Sequence, residues 1–258
     1  MNIFVKTIVL NSRSIEEIFN DLPEREYFTA DELFQIYKIY EPNLNYNTFK
    51  SRLRELKRRN LVRDVKRGIY TVSDKPYFKP EISKYLKKIS KLFRLQYPDI
   101  LYCTWSTSWI NNFTIHQIIS SFNILEVEND VADSIFYNLQ DKGYSVFLQP
   151  DKDSIDRYVL TKEESLVIIP LISRAPTLTF EGIAVPSLEK ILVDIFCDRE
   201  LFFFISGNEL SNVYRYAYKK YTLNFSRMLT YAERRKKMNE IRKILINKVD
   251  NSLESLLK

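Results

Sequence analysis

The chain has 258 residues, 45% of them hydrophobic and 14% aromatic, enough to bury a sizeable core in two domains and too apolar for a disordered chain. Its net charge is +6, and no apolar run approaches the roughly 18 residues of a membrane span, so no membrane contact is expected. Cys103 and Cys197 stand far apart without CxxC or Cys/His spacing, which predicts a reduced, cytoplasmic protein.

In chain order, Ile3 to Leu10 is interrupted by Lys6 and lacks a small-residue cleavage site. It reads as a strand rather than a signal peptide. Ser14 with Glu17 forms a capping box ahead of Ile15, Ile18, Phe19 and Leu22. Thr29 with Glu32 forms another, stapled by Phe28 and Leu33, ahead of Ile36, Tyr37 and Tyr40. Asn45 is the expected N-cap of a third helix, in which Phe49, Leu53 and Leu56 fall within roughly one sixth of a turn. Asn47, Ser51, Arg54 and Arg58 then face the opposite way. Lys50 and Lys57 flank one edge, Arg52 and Arg59 the other. Leu61 to Val65 and Ile69 to Val72 read as a hairpin through Lys66-Arg67-Gly68, with Gly68 supplying positive φ at the turn.

Between Thr48 and Lys79 there are eleven Lys or Arg against three acids, a local surplus of eight in a chain of +6. Two amphipathic helices, a basic helix and a basic hairpin, in that order, predict a winged helix-turn-helix over residues 1–77. Its expected partner is double-stranded DNA. On the outward face Asn47, Ser51, Arg54 and Arg58 would read base edges, the flanking cations Lys50, Lys57, Arg52 and Arg59 would hold phosphates, and Lys66 and Arg67 at the hairpin tip would reach a groove or the backbone.

Ser73 to Pro80, with Pro76 and Pro80, reads as a linker. Residues 78–258 are expected to form a second, larger α/β domain, so that the whole is α+β. It opens with a connecting helix over 81–96. Strands are predicted near Ile100 to Thr104, Asn123 to Glu128, Tyr144 to Gln149, Leu166 to Ser173 and Leu178 to Val185. Helices are predicted near Ser108 to Ser120, Asp130 to Lys142, Pro186 to Phe196, Gly207 to Lys220 and Tyr231 to Val249, giving a helical C-terminal end. Arg215 to Lys248 holds eleven Lys or Arg against two acids. Within it, Arg234-Arg235-Lys236-Lys237 forms a second basic patch that could meet flanking DNA, RNA or an acidic partner. The blander and favoured reading pairs those cations with acids of their own domain.

Catalytic signatures are missing. The four glycines at 68, 143, 182 and 207 are scattered, which excludes a P-loop and a dinucleotide fingerprint. The single histidine, His116, has no nucleophile motif nearby. Glu126 and Glu128 lie two apart on a predicted strand, hence on one face, but neither a Gly-Ser before an Asp-x-Asp nor a lysine two residues after the acid accompanies them. Asp151, Asp153 and Asp156 read as a solvated loop after Pro150. No enzyme activity, no cofactor and no metal are therefore expected.

The order of features resembles the AbiEi-type antitoxins of bacterial abortive-infection toxin–antitoxin systems. The likeness rests on the winged helix ending in Arg67-Gly68-Ile69-Tyr70 and on Thr104-Trp105-Ser106-Thr107-Ser108-Trp109. It rests too on His116-Gln117, Leu125-Glu126-Val127-Glu128, Phe147-Leu148-Gln149-Pro150, and the run from Val185 to Asp194. The resemblance implies a repressor of its own operon whose second domain counteracts a nucleotidyltransferase-like toxin, or protects the toxin's nucleic-acid substrate. It departs from the pattern in the Met1 to Ser12 extension and in lacking a Gly-rich wing. Two alternatives remain: a stand-alone winged-helix regulator whose second domain senses a ligand or dimerises, and a metal-dependent nucleic-acid enzyme built on Glu126 and Glu128.

Overall fold

The computed structural model describes residues 26–72, 75–114, 117 and 121–257. Packing divides the chain into two units, one running through Pro76 and one from Tyr77 onward. Together they are α+β, with a helical C-terminal end. The predicted strand at 3–10 and the Ser14-capped helix lie outside the described residues, as does His116.

In the first unit, helix α1 (Ala30–Tyr40) starts where Thr29 closes its N-terminus. The Glu32 amide donates to Thr29 Oγ1 at 3.2 Å while the Thr29 amide donates to the Glu32 carboxylate at 2.7 Å, so two otherwise orphaned donors are satisfied. Helix α2 (Tyr46–Arg58) starts at Asn45, whose Oδ1 accepts from the Thr48 amide at 2.8 Å. Phe49, Leu53 and Leu56 turn inward against Leu33, Tyr37 and Tyr70. Each side chain so buried contributes about 1.5–3 kcal/mol by leaving water.

The hairpin follows as β2 (Arg63–Lys66) and β3 (Ile69–Thr71), with Gly68 at φ +75° in the turn. A strand that the sequence did not announce completes the sheet: β1 (Phe28–Thr29) pairs antiparallel with β3, giving the order β1-β3-β2. Phe28 thus anchors the sheet edge as well as preceding the α1 cap. From α1 onward, element order and pairing are those of a winged helix-turn-helix.

The expected linker is shorter than its prolines suggest. Lys75 is tied back into the first unit, its Nζ 2.6 Å from Glu26 and its carbonyl accepting from Arg63. Phe78 is buried in the second unit against Trp109, Phe113 and Tyr221. Pro76 and Tyr77 are the exposed residues between these anchors.

The second unit opens with helix α3 (Lys84–Gln96), which begins three residues later than its apolar pattern predicts because Ser83 is the cap. Its sheet has the order β4-β5-β7-β6, built from Tyr102–Ser106, Asn123–Val127, Leu166–Pro170 and Val146–Leu148. β4 is antiparallel to β5, whereas β5, β7 and β6 run parallel. On one face Leu125, Val127 and Leu166 pack with Ile89 and Phe93 of α3 and Ile135 of α4 (Ala132–Asp141). The period-2 alternation of a strand sends Glu126 to the other face, where it meets helix α5 (Leu188–Cys197).

Other predicted elements are subdivided. The strand expected from Leu178 to Val185 is a hairpin, β8 (Thr177–Phe180) and β9 (Ile183–Pro186), because Glu181 and Gly182 both take positive φ. Ser108 to Ser120 is represented among the described residues by a 3-10 segment, Thr107–Phe113. Asp151 is not in a loop: its carboxylate accepts from the Ser154 amide at 2.8 Å and caps a short helical stretch reaching Val159. Helix α6 (Asn208–Lys220) matches its expected span. The helix expected from Tyr231 to Val249 is two, α7 (Phe225–Arg234) and α8 (Met238–Ile244, running on to Val249), because Lys236 at φ +56° breaks it; α9 (Leu253–Leu257) follows.

Candidate functional site

The outward face of α2 is assembled as its phase requires. Asn47, Ser51, Arg54 and Arg58 are all exposed, opposite buried Phe49, Leu53 and Leu56. The Ser51 hydroxyl donates to the Asn47 carbonyl one turn back at 3.3 Å, which leaves its lone pairs to accept. Lys50 extends over the Tyr46 ring at 4.7 Å. Arg54 has no ion-pair partner among the described residues, so its fork of donors is unengaged.

Other cations of the helix already have employment. Arg58 holds Glu55 through two hydrogen bonds, at 2.8 and 2.7 Å. That bond holds the Glu55 carboxyl below its ordinary range and the guanidinium above it. The pair is exposed, and surface pairs of this kind are weak enough for a phosphate to displace the carboxylate. Arg52 pairs with Glu41. Lys57 is 2.6 Å from Asp64 and lies over the Tyr70 ring at 5.0 Å, so it fastens α2 to the hairpin. Of the four flanking cations, Arg52 and Lys57 are therefore structural. At the hairpin tip, Lys66 and Arg67 flank the turn at Gly68, whose carbonyl accepts from the Ala30 amide at 3.2 Å. Helix face and wing are thereby held by one small core.

A second constellation lies in the larger unit, and the sequence did not expose it. Lys190 Nζ is 2.5 and 2.6 Å from the two carboxylate oxygens of Glu126 and 2.5 Å from Asp194 Oδ2. Trp105 Nε1 donates to Glu126 Oε1 at 3.0 Å. Tyr231 Oη and Arg235 Nη1 each donate to Asp194 Oδ1 at 2.8 Å, and Arg235 reaches on to Asp198 at 2.6 Å. Burial disfavours the Lys190 ammonium, but the Asp194 and Glu126 carboxylates outweigh it and hold the group charged to well above its ordinary pKa. Burial likewise pushes the Glu126 carboxyl up, opposed by Lys190. The available signal was opposite charges one turn apart, Lys190 and Asp194, in a helix otherwise almost wholly apolar.

This network floors a cleft of about 460 Å³ lined by Glu126, Gln149, Pro170, Asp194, Asp198 and Arg235. Glu126, Gln149 and Pro170 stand at or just past the carboxyl ends of parallel β5, β6 and β7. Open α/β sheets take ligands at that edge. Among the described residues no group of three or more His, Cys, Asp or Glu is placed to hold a metal.

One expectation is corrected here, and the two readings of the second basic patch can be compared with its contacts. Glu126 and Glu128 do not share a face: β5 ends at Val127, leaving Glu128 exposed while Glu126 is buried. The second basic patch is not four free cations. Arg235 turns inward onto Asp194 and Asp198, its side chain 15% exposed. Arg234 donates to Ser173 Oγ at 2.8 Å and Lys237 pairs with Glu240 at 3.0 Å, leaving Lys236 exposed on the left-handed break. Elsewhere in the C-terminal cluster, Arg227 pairs with Glu189 and Lys220 donates to the Asn112 carbonyl. Acids elsewhere in the unit thus engage Arg227 and Arg235, and Glu240 within the cluster engages Lys237.

No helix among the described residues is long and apolar enough to cross a membrane. The model of DUF6577, a family of unknown function, matches residues 48–251, from within α2 through the end of α8 and its extension. No curated protein matches the chain.

Proposed function

We propose that this chain, which belongs to the DUF6577 family, is a DNA-binding antitoxin that represses its own toxin–antitoxin operon and is not an enzyme. The observation that carries the DNA-binding part is the α2 face: Asn47 and Arg54 exposed beside Lys50 and Arg58, with Lys66 and Arg67 at the adjoining wing. Amide and guanidinium groups on a helix face suit base edges in a major groove, and the flanking cations suit phosphates. The antitoxin part rests on the resemblance in the second domain. The non-enzyme part is supported by Glu126, whose oxygens are occupied by Lys190 and Trp105.

The reading divides labour between residues 1–77, which would bind operator DNA, and residues 78–258, which would counteract a nucleotidyltransferase-like toxin encoded beside it in a bacterial cytoplasm. Co-expression of the adjacent toxin with each fragment tests it. Rescue by 78–258 and DNA binding by 1–77 are expected; rescue by 1–77 alone, or failure of a folded 78–258, contradicts it.

One observation favours a second reading. A cleft of about 460 Å³ at the carboxyl ends of three parallel strands suits a small ligand, so the chain would be a stand-alone winged-helix regulator that senses a metabolite. A neighbouring gene without a toxin, together with operator release by a small molecule, would select this reading.

A further inference from the structure

Helix α3 carries Lys84, Lys87, Lys88, Lys91 and Arg94 and no acid. At 100° per residue these five fall within roughly one third of the helix circumference, and all five are exposed. The opposite side, Tyr85, Leu86, Ile89 and Phe93, is buried and supplies what folding requires. The stripe itself works against the helix. Like charges recur at i+3 and i+4, and Lys84 and Lys87 lie in the N-terminal turns, where the backbone dipole already presents positive charge. Internal partners account for three of the five: Lys87 pairs with Glu181 at 2.8 Å, Lys88 lies over the Tyr144 ring at 4.9 Å and Arg94 donates to the Gly182 carbonyl at 3.0 Å. Lys84 and Lys91 have no ion pair or ring contact among the described residues.

We infer that this lysine face is a second contact with the DNA backbone, lying on the duplex beside the winged-helix site; the inference rests on the DNA-binding reading above. The ligand complements the charge, and lysine acts well as a point charge against phosphate. Protein interfaces, by contrast, are depleted in lysine and centred on aromatic or arginine anchors. Lys84 and Lys91 are seven residues apart, about 10 Å along the axis, or three base-pair steps at about 3.4 Å. The tether is short as well. Nine residue steps join Lys75 to Lys84, at most about 32 Å of extended chain, less than one turn of duplex at about 34 Å.

The test uses the full chain and its Lys84→Gln/Lys91→Gln variant, whose two changes remove exposed cations alone. Each binds a short duplex that covers the winged-helix site and the same duplex extended by about ten base pairs on both sides, across a salt series. On the extended duplex the parent's slope of log K against log salt should exceed the variant's by about two, so that its advantage shrinks about tenfold between 50 and 200 mM salt. On the short duplex the two proteins should agree. Equal slopes on both duplexes overturn this inference and leave the winged-helix reading standing. Unchanged slopes with lost capture of an acidic protein give the face to that partner and overturn it equally. A parent that binds neither duplex overturns both.

Discussion

Lys190 Nζ lies 2.5 Å from Glu126 Oε1 across 64 residues of sequence, with both side chains buried. Removing one member of a buried pair leaves the other charged without a partner, which costs about 3–5 kcal/mol. Lys190→Met should therefore destabilise the second unit by that amount in urea unfolding. Adding Glu126→Gln should recover part of the loss by removing one orphaned carboxylate. A loss under about 1 kcal/mol for the single variant would mean that water or a rearranged Arg235 takes over the pairing.

Tyr37 gives the first unit an alkaline limit. Its hydroxyl is buried without a hydrogen-bond partner among the described residues, and burial, opposed by Arg52, pushes its pKa up from 10.0 to about 12. The folded state therefore keeps a proton that the unfolded chain releases. The associated stability, about 2–3 kcal/mol, is full below pH 10 and is lost as pH rises from 10 towards 12. Tyr37→Phe should abolish that dependence and at pH 7 be neutral or stabilising by up to ~1 kcal/mol, since it removes an unsatisfied group. Parallel alkaline melts of parent and variant would refute the assignment.

The Glu55–Arg58 pair sets a third expectation. Glu55→Gln removes an acid from the helix that is proposed to meet DNA and releases Arg58 from its two hydrogen bonds. Affinity for duplex DNA should rise, and the salt slope should steepen by about one phosphate contact. Weaker binding by this variant would place the helix in another orientation.

Cys197 tests the cleft. Burial pushes its thiol pKa up from 9.0 to about 11, with the nearby Arg235 opposing. At pH 8 its thiolate fraction, and hence its alkylation rate, should be roughly a hundredfold below that of an unperturbed thiol. Arg235→Ala takes away the cation that favours the thiolate and should slow labelling further unless the cleft opens. Rapid labelling of the parent would show that the cleft wall is mobile.

Local chemistry made the first unit legible. Thr29-Glu32 and Asn45 each mark a helix start through a side chain that satisfies backbone amides three residues on, and the Phe49-Leu53-Leu56 phase fixes which face is out. Such signals need only neighbouring residues. The β1–β3 pairing escaped because a two-residue strand has no period to detect. In the second unit, Pro186-Ser187 marks the start of α5, yet nothing near Lys190 and Asp194 in the sequence shows that they are buried. They are buried because residues distant in sequence, Glu126, Tyr231 and Arg235, neutralise and hydrogen-bond them. The sequence could favour pairing of the basic tetrad within its own domain but could not say which acids take Arg235, because its carboxylate partners lie 37 and 41 residues away.

Base recognition by the α2 face with support from the wing is the centre of this account, and a salt-titrated gel shift tests it most directly. Parent protein and the charge-neutralised triple at Arg54, Lys66 and Arg67 would be titrated with operator and scrambled duplexes. With about six phosphates engaged, the parent's log K should fall with log salt at a slope near −5. Arg54→Ala alone should cost roughly 1–3 kcal/mol on the operator and narrow its preference over scrambled DNA, whereas Lys66→Ala should weaken both duplexes alike. The triple should lose binding to both. A triple that binds as tightly as the parent, at every salt concentration, would contradict the account.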